Sequence, residues 1–341
     1  MAAVPLSGAV TSPRPRRLWI TWERQRRNRA LSAALDAELH EIHVAYGRAA
    51  RYLIAIQRTV AILKQRRPEI VFVQNPSIIL ALVAMLWCRL TGAPIVVDAH
   101  NAGVHPFEGR RAWANRLARF LFRQVSLTLV SNGALAEYVE RSGGAAFVLP
   151  DPLPVLTPAS SEVTAARSRP ARVIFVCAWA DDEPYLELIE AARHLGQGVT
   201  VSITGASRGR ERAGGSSLPE NVRLTGFLDD AAYDELLCES NLVIDLTTRQ
   251  DCLVCGAYEA MAAGRPLLVS DTVALRSYFD RGTLFTDNSA ADIAAKIREA
   301  LAQLPHLTTQ MHALRQTRVL EWETTRRSLE ARLLELLTRS R

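Results

Sequence analysis

The stretch TTRQDCLVCGAYEAMAAGRPLLVSD, residues 247–271, contains a loop between a predicted strand and a predicted helix. The residues that lead into it, NLVIDLTT, are apolar and β-branched, as in a buried strand. AYEAMAAG then has the pattern of a helix, which ends at Gly264 before Pro266. A strand followed by a loop and a helix is the repeating unit of parallel α/β sheets.

The same unit recurs on both sides of this stretch. In the first half, strands are predicted at RRLWITW, PEIVFVQNP, APIVVDAHNAG and SLTLV, and ERQRRNRALSAALDAEL (residues 23–39) predicts one of the helices between them. In the second half, strands are predicted at RVIFVCAW, VTVSITG, NVRLTGFL, NLVIDLTT and RPLLVSD. This alternation predicts an α/β fold with two doubly wound, Rossmann-like sheets that helices cover on both faces.

A proline-rich break separates the two predicted sheets. Residues 149–172 hold five prolines and little hydrophobic periodicity, which is typical of a linker. We predict a first domain over residues 1–152, a linker over 153–171 and a second domain over 172–320. Residues 321–341, with leucines on one face, predict a docking helix that can return to the first domain. Because open α/β sheets bind ligands beyond the carboxyl ends of their strands, we expect a ligand in the cleft between the domains.

The composition predicts a soluble protein on the cytoplasmic side. Of the 341 residues, 48% are hydrophobic and 22% are charged, which is enough apolar material for two buried cores. The longest nearly unbroken apolar run, residues 78–88, is too short to span a bilayer, and no signal-type apolar segment precedes Trp19. Five cysteines, an odd number, do not predict a disulfide framework.

Positive charge is concentrated in the first part of the chain. Residues 1–150 carry 20 Lys and Arg against 9 Asp and Glu, a net charge of +11, whereas residues 151–341 carry 21 against 26, a net charge of −5. Such a surface suits nucleic acid or the lipid phosphates of a membrane, unless it is simply a solvated helix face. Because no zinc-finger spacing or aromatic RNA-binding motif accompanies the arginines, nucleic acid is not the predicted partner.

Two motifs resemble other kinds of site but are incomplete. TGASRGRERAGG, residues 204–215, has two glycines of a short-chain dehydrogenase loop, but Glu211 stands at the third glycine position and no Tyr-x-x-x-Lys pair follows. Cys252 and Cys255 have zinc-knuckle spacing. Because four-coordinate zinc needs a second pair of ligands, which the sequence lacks, these cysteines are predicted to be structural.

The loop at residues 249–255 and the helix after it have the features of an anion site. Backbone amides at the start of a helix, here near Gly256, attract negative charge. Asp251 in the loop and Glu259 in the first helical turn place a carboxylate on each side of these amides. This pattern predicts a ligand with hydroxyl groups on both sides of a diphosphate, such as a nucleotide sugar. Alternatively, Glu259 merely complements the helix dipole, an effect of about 0.3–1 kcal/mol.

The stretch resembles the E-x7-E region of GT-B glycosyltransferases, especially the retaining enzymes of family 4, which read E-G-F-G-x-x-x-x-E-A-M-A-x-G-x-P. Asp251 stands at the first acidic position and Glu259 at the second, before the same A-M-A, Gly and Pro. The resemblance implies that Glu259 holds the ribose hydroxyls of the donor and that Asp251 contacts the donor sugar. Seven further residues at this and neighbouring strand ends are assigned to the donor: Arg249, Thr248, Trp179, Gly205 and, through amides facing the diphosphate, the segment Val254, Cys255 and Gly256.

The chain departs from this pattern in two places. Asp251 is one methylene shorter than the usual glutamate. Many relatives also carry an arginine and a lysine after the first strand of the second domain, whereas VCAWADDEPYLELIEA, residues 176–191, has no basic residue. This segment resembles the W-x-x-D-E segment of dolichol-pathway β-mannosyltransferases and of some bacterial exopolysaccharide glycosyltransferases. We therefore predict that Arg249 supplies the positive charge that the leaving diphosphate needs.

VVDAHNAG, residues 96–103, resembles the D-x-H-N segment of the same enzymes. Asp98 and His100 alternate along a strand and so share one face, where a carboxylate can orient an imidazole. In an inverting enzyme either group could take the proton of the acceptor hydroxyl, and in a retaining enzyme His100 would contact the donor sugar. A hydrogen-bonded strand end is the other alternative. Together with Asp251, these two residues are the candidate catalytic groups.

The resemblance implies a metal-independent hexosyltransferase without a cofactor, and no D-x-D motif closes a predicted strand. The donor would be a UDP- or GDP-linked sugar, and the acceptor a polyprenyl-diphosphate-linked saccharide of bacterial exopolysaccharide or surface-glycan synthesis. Arg24, Arg26 and Arg27 are predicted to face this acceptor and an anionic membrane, with peripheral attachment. The alternatives are a catalytically degenerate GT-B protein, which binds a nucleotide sugar or a partner enzyme, and an NAD(P)-dependent oxidoreductase.

Overall fold

The computed structural model describes residues 15–45, 47–75, 77–157, 170–206 and 218–340. These residues form two compact units. The first unit holds the described residues up to Thr128, residues 143–145 and the residues from Glu330 onward, and the second unit holds the rest.

Two sequence predictions fall largely outside the described residues. Residues 158–169 belong to the predicted linker, and residues 207–217 contain Glu211 and the second glycine of the dehydrogenase-like motif. The domain boundaries proposed from the sequence therefore stay predictions.

The strands of the first sheet are β1 (Arg17–Thr21), β2 (Glu38–Glu41), β3 (Ile70–Asn75), β4 (Ile95–Ala99), β5 (Leu127–Val130) and β6 (Ala146–Val148). Their order in the sheet is β2-β1-β3-β4-β5-β6. Strand β1 pairs in parallel with both β2 and β3, and β3 pairs in parallel with β4. All residues of β3 and β4 are buried, because parallel sheets are covered on both faces.

The strands of the second sheet are β7 (Ala171–Phe175), β8 (Val199–Thr204), β9 (Val222–Gly226), β10 (Leu242–Asp245), β11 (Leu267–Ser270) and β12 (Thr283–Thr286). Their order is β12-β11-β10-β7-β8-β9, and β10 pairs in parallel with β7 and β11. The predicted fold of two doubly wound parallel sheets is thereby confirmed.

The helices of the first half are α1 (Arg26–Ala34), α2 (Arg48–Arg66), α3 (Ile78–Thr91), α4 (Asn101–Val104), α5 (Ala112–Gln124) and α6 (Gly133–Arg141). Those of the second half are α7 (Tyr185–Arg193), α8 (Asp230–Glu239), α9 (Cys255–Ala263), α10 (Val273–Tyr278), α11 (Ala290–Ala302) and α12 (Leu304–Ser340). Helix α9 ends at Gly264 in the left-handed conformation, as the sequence predicted.

Helix α1 is shorter than the sequence predicted. It ends at Ala34, and the chain turns at Asp36, which has a left-handed backbone with φ of 50°. The residues that follow form β2, which pairs with β1, so that sheet pairing overrides the helical preference of this segment.

The terminal helix α12 begins at Leu304 rather than near residue 321. Pro305 falls in its first turn, where the missing N–H of proline is tolerated. The residues from Glu330 onward belong to the first unit, where the Arg17 guanidinium donates hydrogen bonds of 2.7 and 2.6 Å to the Glu330 carboxylate. The helix therefore returns to the first unit, as expected. Across the part of the chain that the structure describes, no helix has both the length and the apolarity needed to cross a membrane.

Candidate active site

The loop after β10 leads directly into α9. Val254 stands at the N-cap of this helix, and its side chain has no polar atom with which to cap the first turn. Instead, the Oδ2 atom of Asp245, at the end of β10, accepts a hydrogen bond of 2.7 Å from the Gly256 amide. The prediction that this amide is open to a diphosphate is therefore wrong, because a buried carboxyl group already occupies it.

Gly256 is required at this position by close packing. A Cβ atom there would lie 2.6 Å from Asp245 Oδ2 and 2.8 Å from the Cβ atom of Val176. Both distances are shorter than side chains tolerate, so that only glycine lets α9 begin this close to β10.

The carboxyl group of Asp245 holds its proton unusually well. Burial raises its pKa well above the usual range, and although the Gly256 amide opposes this effect, the negative charges of Glu183, Glu259 and Asp182 add to it. Asp245 is thus a further acidic side chain at the start of α9, and its surroundings favour the protonated carboxyl group. The sequence analysis did not single out Asp245, because no motif accompanies this strand-ending aspartate.

Glu259 lies on α9, as predicted, and its side chain is half-buried. The hydroxyl group of Tyr233, from α8, donates a hydrogen bond to Glu259 Oε2. This contact fixes the direction of the carboxylate. Sequence reasoning missed Tyr233, because a tyrosine on a separate helix, with no motif around it, carries no signal of this pairing.

The acidic segment after β7 is folded back on itself by Glu183. Its carboxylate accepts hydrogen bonds from the amides of Ala178 and Ala180, at 3.0 and 2.8 Å. Asp182 then fastens this segment to the loop after β10, since its Oδ2 atom accepts a hydrogen bond of 2.8 Å from the hydroxyl group of Thr247. The W-x-x-D-E segment therefore lies against the loop after β10 and holds it in place through Asp182.

Arg249 lies in this loop, as predicted, but its guanidinium group already forms an ion pair with Asp182. Its Nη2 atom is 3.1 Å from Asp182 Oδ1, and its side chain is 40% exposed. The Thr248 amide donates a hydrogen bond of 2.8 Å to the backbone oxygen of Asp182. Asp251 is half-buried in the same loop. The loop after β10 thus carries three of the residues that the sequence analysis assigned to the donor, which are Thr248, Arg249 and Asp251.

Trp179 and Gly205 contact each other, and this packing bears on the donor contact that the sequence analysis assigned to Trp179. The Trp179 ring is 5% exposed and packs on Tyr185, with ring centroids 5.2 Å apart. Gly205 has φ of +107°, and a Cβ atom there would lie 2.6 Å from Trp179 Cδ1. Because the ring is enclosed in the protein, its side chain supports the loop and does not present a surface to a donor.

The cysteine pair has the properties of structural thiols. Burial raises the pKa of the Cys252 thiol to about 12, whereas a reactive cysteine needs a lowered pKa. Among the described residues, no group of His, Cys, Asp and Glu side chains is arranged to hold a metal ion.

The first unit contains a buried charged pair at the end of β4. Arg27 Nη2 lies 2.7 Å from Asp98 Oδ1, and Arg27 Nε donates to Asp98 Oδ2 at 3.1 Å, so that the pair is bidentate. Burial by itself would raise the pKa of Asp98, but the Arg27 guanidinium group, together with the neighbouring His100 imidazole, outweighs it and holds that pKa well below its usual range. His100 Nε2 lies 3.4 Å from Asp98 Oδ2.

These contacts correct two predictions. Arg27 is only 7% exposed, so it does not lie on an acceptor or membrane surface, whereas Arg24 is exposed and Arg26 is half-buried. Asp98 is 1% exposed and both of its oxygens face Arg27. A carboxylate with such a low pKa and no access to solvent is a poor general base, and His100, whose side chain is 30% exposed, is the more accessible of the two groups.

Comparison with known proteins defines the class of this protein. Residues 9–150 match the family model described as a glycosyl transferase 4-like domain, and residues 185–334 match the one described as glycosyl transferase-like. Together the two models cover most of the chain. The chain belongs to the glycosyltransferases of the GT-B fold, which confirms the resemblance seen in residues 251–266. No curated protein sequence matches the chain.

Solved structures share the fold at low sequence identity. HepE from Anabaena, in complex with UDP and glucose, is 13% identical with a TM-score of 0.68, over 93% of this chain and 91% of that chain. Sucrose-phosphate synthase from Thermosynechococcus elongatus is 15% identical with a TM-score of 0.73, over 94% and 100%. The UDP-GlcNAc 2-epimerase of Methanocaldococcus jannaschii is 11% identical with a TM-score of 0.56, over 83% and 92%. Since an epimerase shares the fold, the fold alone does not define the reaction.

Proposed function

We propose that this glycosyltransferase moves a sugar from a nucleoside diphosphate sugar, UDP- or GDP-linked, to a lipid-linked saccharide at an anionic membrane surface. The observation that carries the proposal is the position of Glu259 on α9, where the Tyr233 hydroxyl group directs its carboxylate. A carboxylate accepts up to about four hydrogen bonds, which is enough for Tyr233 and the two ribose hydroxyls. Because the HepE complexes contain UDP and UDP-glucose, UDP is the first nucleotide to test.

The charge of the donor diphosphate needs a partner in the same unit. The N-terminus of α9 offers its dipole, although the Gly256 amide is occupied by Asp245. Arg249 offers a guanidinium group that Asp182 holds in place from one side. We propose that the diphosphate contacts Arg249 and the start of α9, and that Asp251 contacts the donor sugar.

The donor proposal is tested by thermal unfolding with UDP, GDP, dTDP, ADP and NADP. A nucleotide at 100 times its dissociation constant should stabilise the protein by about 2.7 kcal/mol. Glu259→Ala should abolish this effect, whereas Glu190→Ala, an exposed carboxylate on α7, should keep it. Tyr233→Phe should weaken nucleotide binding roughly 5- to 10-fold, the effect of one hydrogen bond of about 1 kcal/mol.

The result also decides among the alternatives for this protein. Stabilisation by NADP alone would support an oxidoreductase and contradict the donor site. Stabilisation that survives Glu259→Ala would place the nucleotide elsewhere. If none of the nucleotides stabilises the protein, the proposed donor class is wrong.

The membrane component of the proposal draws on the outer face of α5. This face exposes Trp113 and Phe120, 60% and 43% accessible, among four exposed arginines, which are Arg111, Arg116, Arg119 and Arg123. Helix α3 packs beside α5 and exposes Leu86 and Leu90. Aromatic side chains between arginines suit the interface of an anionic bilayer, because the rings enter the headgroup region while the guanidinium groups meet lipid phosphates.

Sedimentation with phosphatidylglycerol–phosphatidylcholine vesicles tests this component. We expect binding that is lost with pure phosphatidylcholine and at high salt. Replacing Arg116 and Arg119 by Gln should weaken binding roughly 30-fold, at about 1 kcal/mol for each arginine. Leu320→Ala, which removes an exposed leucine of α12, is the matched control and should have no effect. Equal binding by the arginine variant and the control would contradict this surface.

A further inference from the structure

The buried pair of Arg27 and Asp98 lies directly beside His100. We propose that Arg27 is a positioning residue for the transfer reaction, which acts through Asp98 to fix the orientation and tautomer of the His100 imidazole. The inference rests on the proposed function only in that His100 contacts a substrate hydroxyl group.

The Asp98 carboxylate is held in one orientation by Arg27. The guanidinium group of Arg27 contacts both carboxylate oxygens, at 2.7 and 3.1 Å, in a fork geometry that allows only one orientation of the carboxylate. The two side chains are 5% and 1% exposed, so that water does not compete for these bonds. Arg27 thus removes the rotation that an isolated aspartate side chain would have.

The helix that carries Arg27 is itself held by buried hydrogen bonds. The next residue on α1, Asn28, is fully buried, donates to Gln74 Oε1 at 2.8 Å and accepts from Trp19 Nε1 at 3.1 Å. The hydroxyl group of Thr21 donates to the same Gln74 oxygen at 2.7 Å. This network ties α1 to the ends of β1 and β3. The backbone that carries Arg27 is therefore held by polar contacts from two strands.

The His100 imidazole turns its Nε2 atom toward the Asp98 carboxylate. Its Nε2 atom is buried 3.4 Å from Asp98 Oδ2 and, within the described residues, has no partner in hydrogen-bond geometry. A carboxylate in this position favours a hydrogen on Nε2, because the alternative tautomer would turn a lone pair toward negative charge. Nδ1 then carries the lone pair, and it is the atom that can accept a hydrogen bond from a substrate hydroxyl group. The His100 ring is 30% exposed, which leaves it accessible to such a group.

The tautomer is measured directly by ¹⁵N–¹H correlation spectra of protein labelled at histidine, with His100→Ala to assign the signal. We expect a single Nε2–H tautomer in the wild type and in Arg29→Gln, a change on the same helix that removes the ion pair between Arg29 and Glu41 of β2. Arg27→Gln should give a mixture of tautomers, and Arg27→Lys, which keeps the charge but not the fork, should be intermediate. If Arg27→Gln does not fold, Arg27→Lys and Asp98→Asn provide the same test. An unchanged His100 signal in these variants would overturn the proposal.

A kinetic cycle separates positioning from a merely structural role. With UDP-glucose as the probe and UDP release as the readout, Arg27→Gln should lower kcat roughly 100-fold, the lower end of what a placed acid–base group contributes, with KM nearly unchanged. In the His100→Ala background the same substitution should cause no further loss, because Arg27 acts only through His100. An equal loss in both backgrounds would contradict the inference. If the wild type does not release UDP from UDP-glucose while the tautomer result holds, UDP-glucose is not the donor, and the effect of Arg27 on the orientation of His100 stands.

Discussion

Asp98 and Asp245 occupy similar places in the two sheets but differ in the charges around them. Each lies at the carboxyl end of a parallel strand, and they are 1% and 6% exposed. Asp98 faces the guanidinium group of Arg27, which outweighs burial and holds its pKa low. Asp245 accepts a hydrogen bond from a neutral amide and faces three carboxylates, so that burial and these charges raise its pKa. Burial alone therefore does not determine the charge of a strand-ending aspartate.

The difference gives the two residues opposite relations to pH. The folded-state pKa of Asp98 is depressed, so its contribution to stability is present above about pH 4, the pKa of an unfolded aspartate, and is lost only as the pH falls toward the folded pKa. The folded-state pKa of Asp245 is raised, so its contribution is present below about pH 4 and is lost as the pH rises through the folded pKa. The first unit thus holds an ion pair that persists at neutral pH, and the second holds a proton-sensitive carboxyl group at the start of α9.

The largest expected effect comes from breaking the ion pair of the first unit. Arg27→Gln leaves the Asp98 charge buried without its partner, which should lower the free energy of unfolding by about 3–5 kcal/mol at pH 7. Urea unfolding followed by circular dichroism measures this change. The double variant Arg27→Gln with Asp98→Asn removes both charges and should recover most of the loss.

Arg29→Gln is the control for this prediction. It breaks the pair between Arg29 of the same helix and Glu41 of β2, at 3.2 Å, in which the arginine side chain is 52% exposed. Exposed pairs contribute about 0.2–1 kcal/mol, so the control should stay within that range. Equal destabilisation by both variants would mean that the Arg27 pair is no more than a surface ion pair.

A smaller effect is expected from the partner of Asp245. Gly256→Ala places a Cβ atom 2.6 Å from the Asp245 carboxyl group, so that α9 or β10 must shift. We expect a loss of about 1–3 kcal/mol in the free energy of unfolding, the usual cost of overpacking. Gly198→Ala is the matched control, because nothing lies within 4 Å of a Cβ atom at that position. A neutral Gly256→Ala variant would contradict the tight contact between the carboxyl group and the helix.

The sequence predicts those parts of the fold that depend on local patterns. Continuous apolar runs identify β3, β4, β10 and β11, and Gly264 before Pro266 marks the end of α9. Glu259 could be placed on that helix because its spacing from the loop is fixed along the chain. The motif that matches the GT-B glycosyltransferases could also be recognised from the sequence, because its residues lie close together along the chain.

The pairings that hold the candidate residues of each unit join residues distant in sequence. Arg27 and Asp98 are 71 residues apart, and Tyr233 and Glu259 are 26 apart. Local patterns do not encode which buried polar groups meet, since that depends on how helices pack on the sheet. One signal was available for Arg27, which stands four and eight positions before the buried residues Leu31 and Leu35 and hence on the buried side of α1. An arginine on that side predicts an ion pair rather than a membrane contact.

The last prediction uses pH to sharpen the comparison. Asp245→Asn keeps an oxygen that can accept the Gly256 hydrogen bond but removes the ionisable proton. The carboxyl group of Asp245 ionises more readily in the unfolded protein than in the folded protein. The folding stability of the wild type should therefore fall relative to that of the variant as the pH rises from about 4 toward the raised pKa. The difference should grow by about 1 kcal/mol per pH unit, below the limit of 1.36 for one proton, and raise the variant's Tm by a few degrees. A Tm difference that is constant from pH 4 to 8 would show that Glu183, Glu259, Asp182 and burial do not raise the pKa of Asp245.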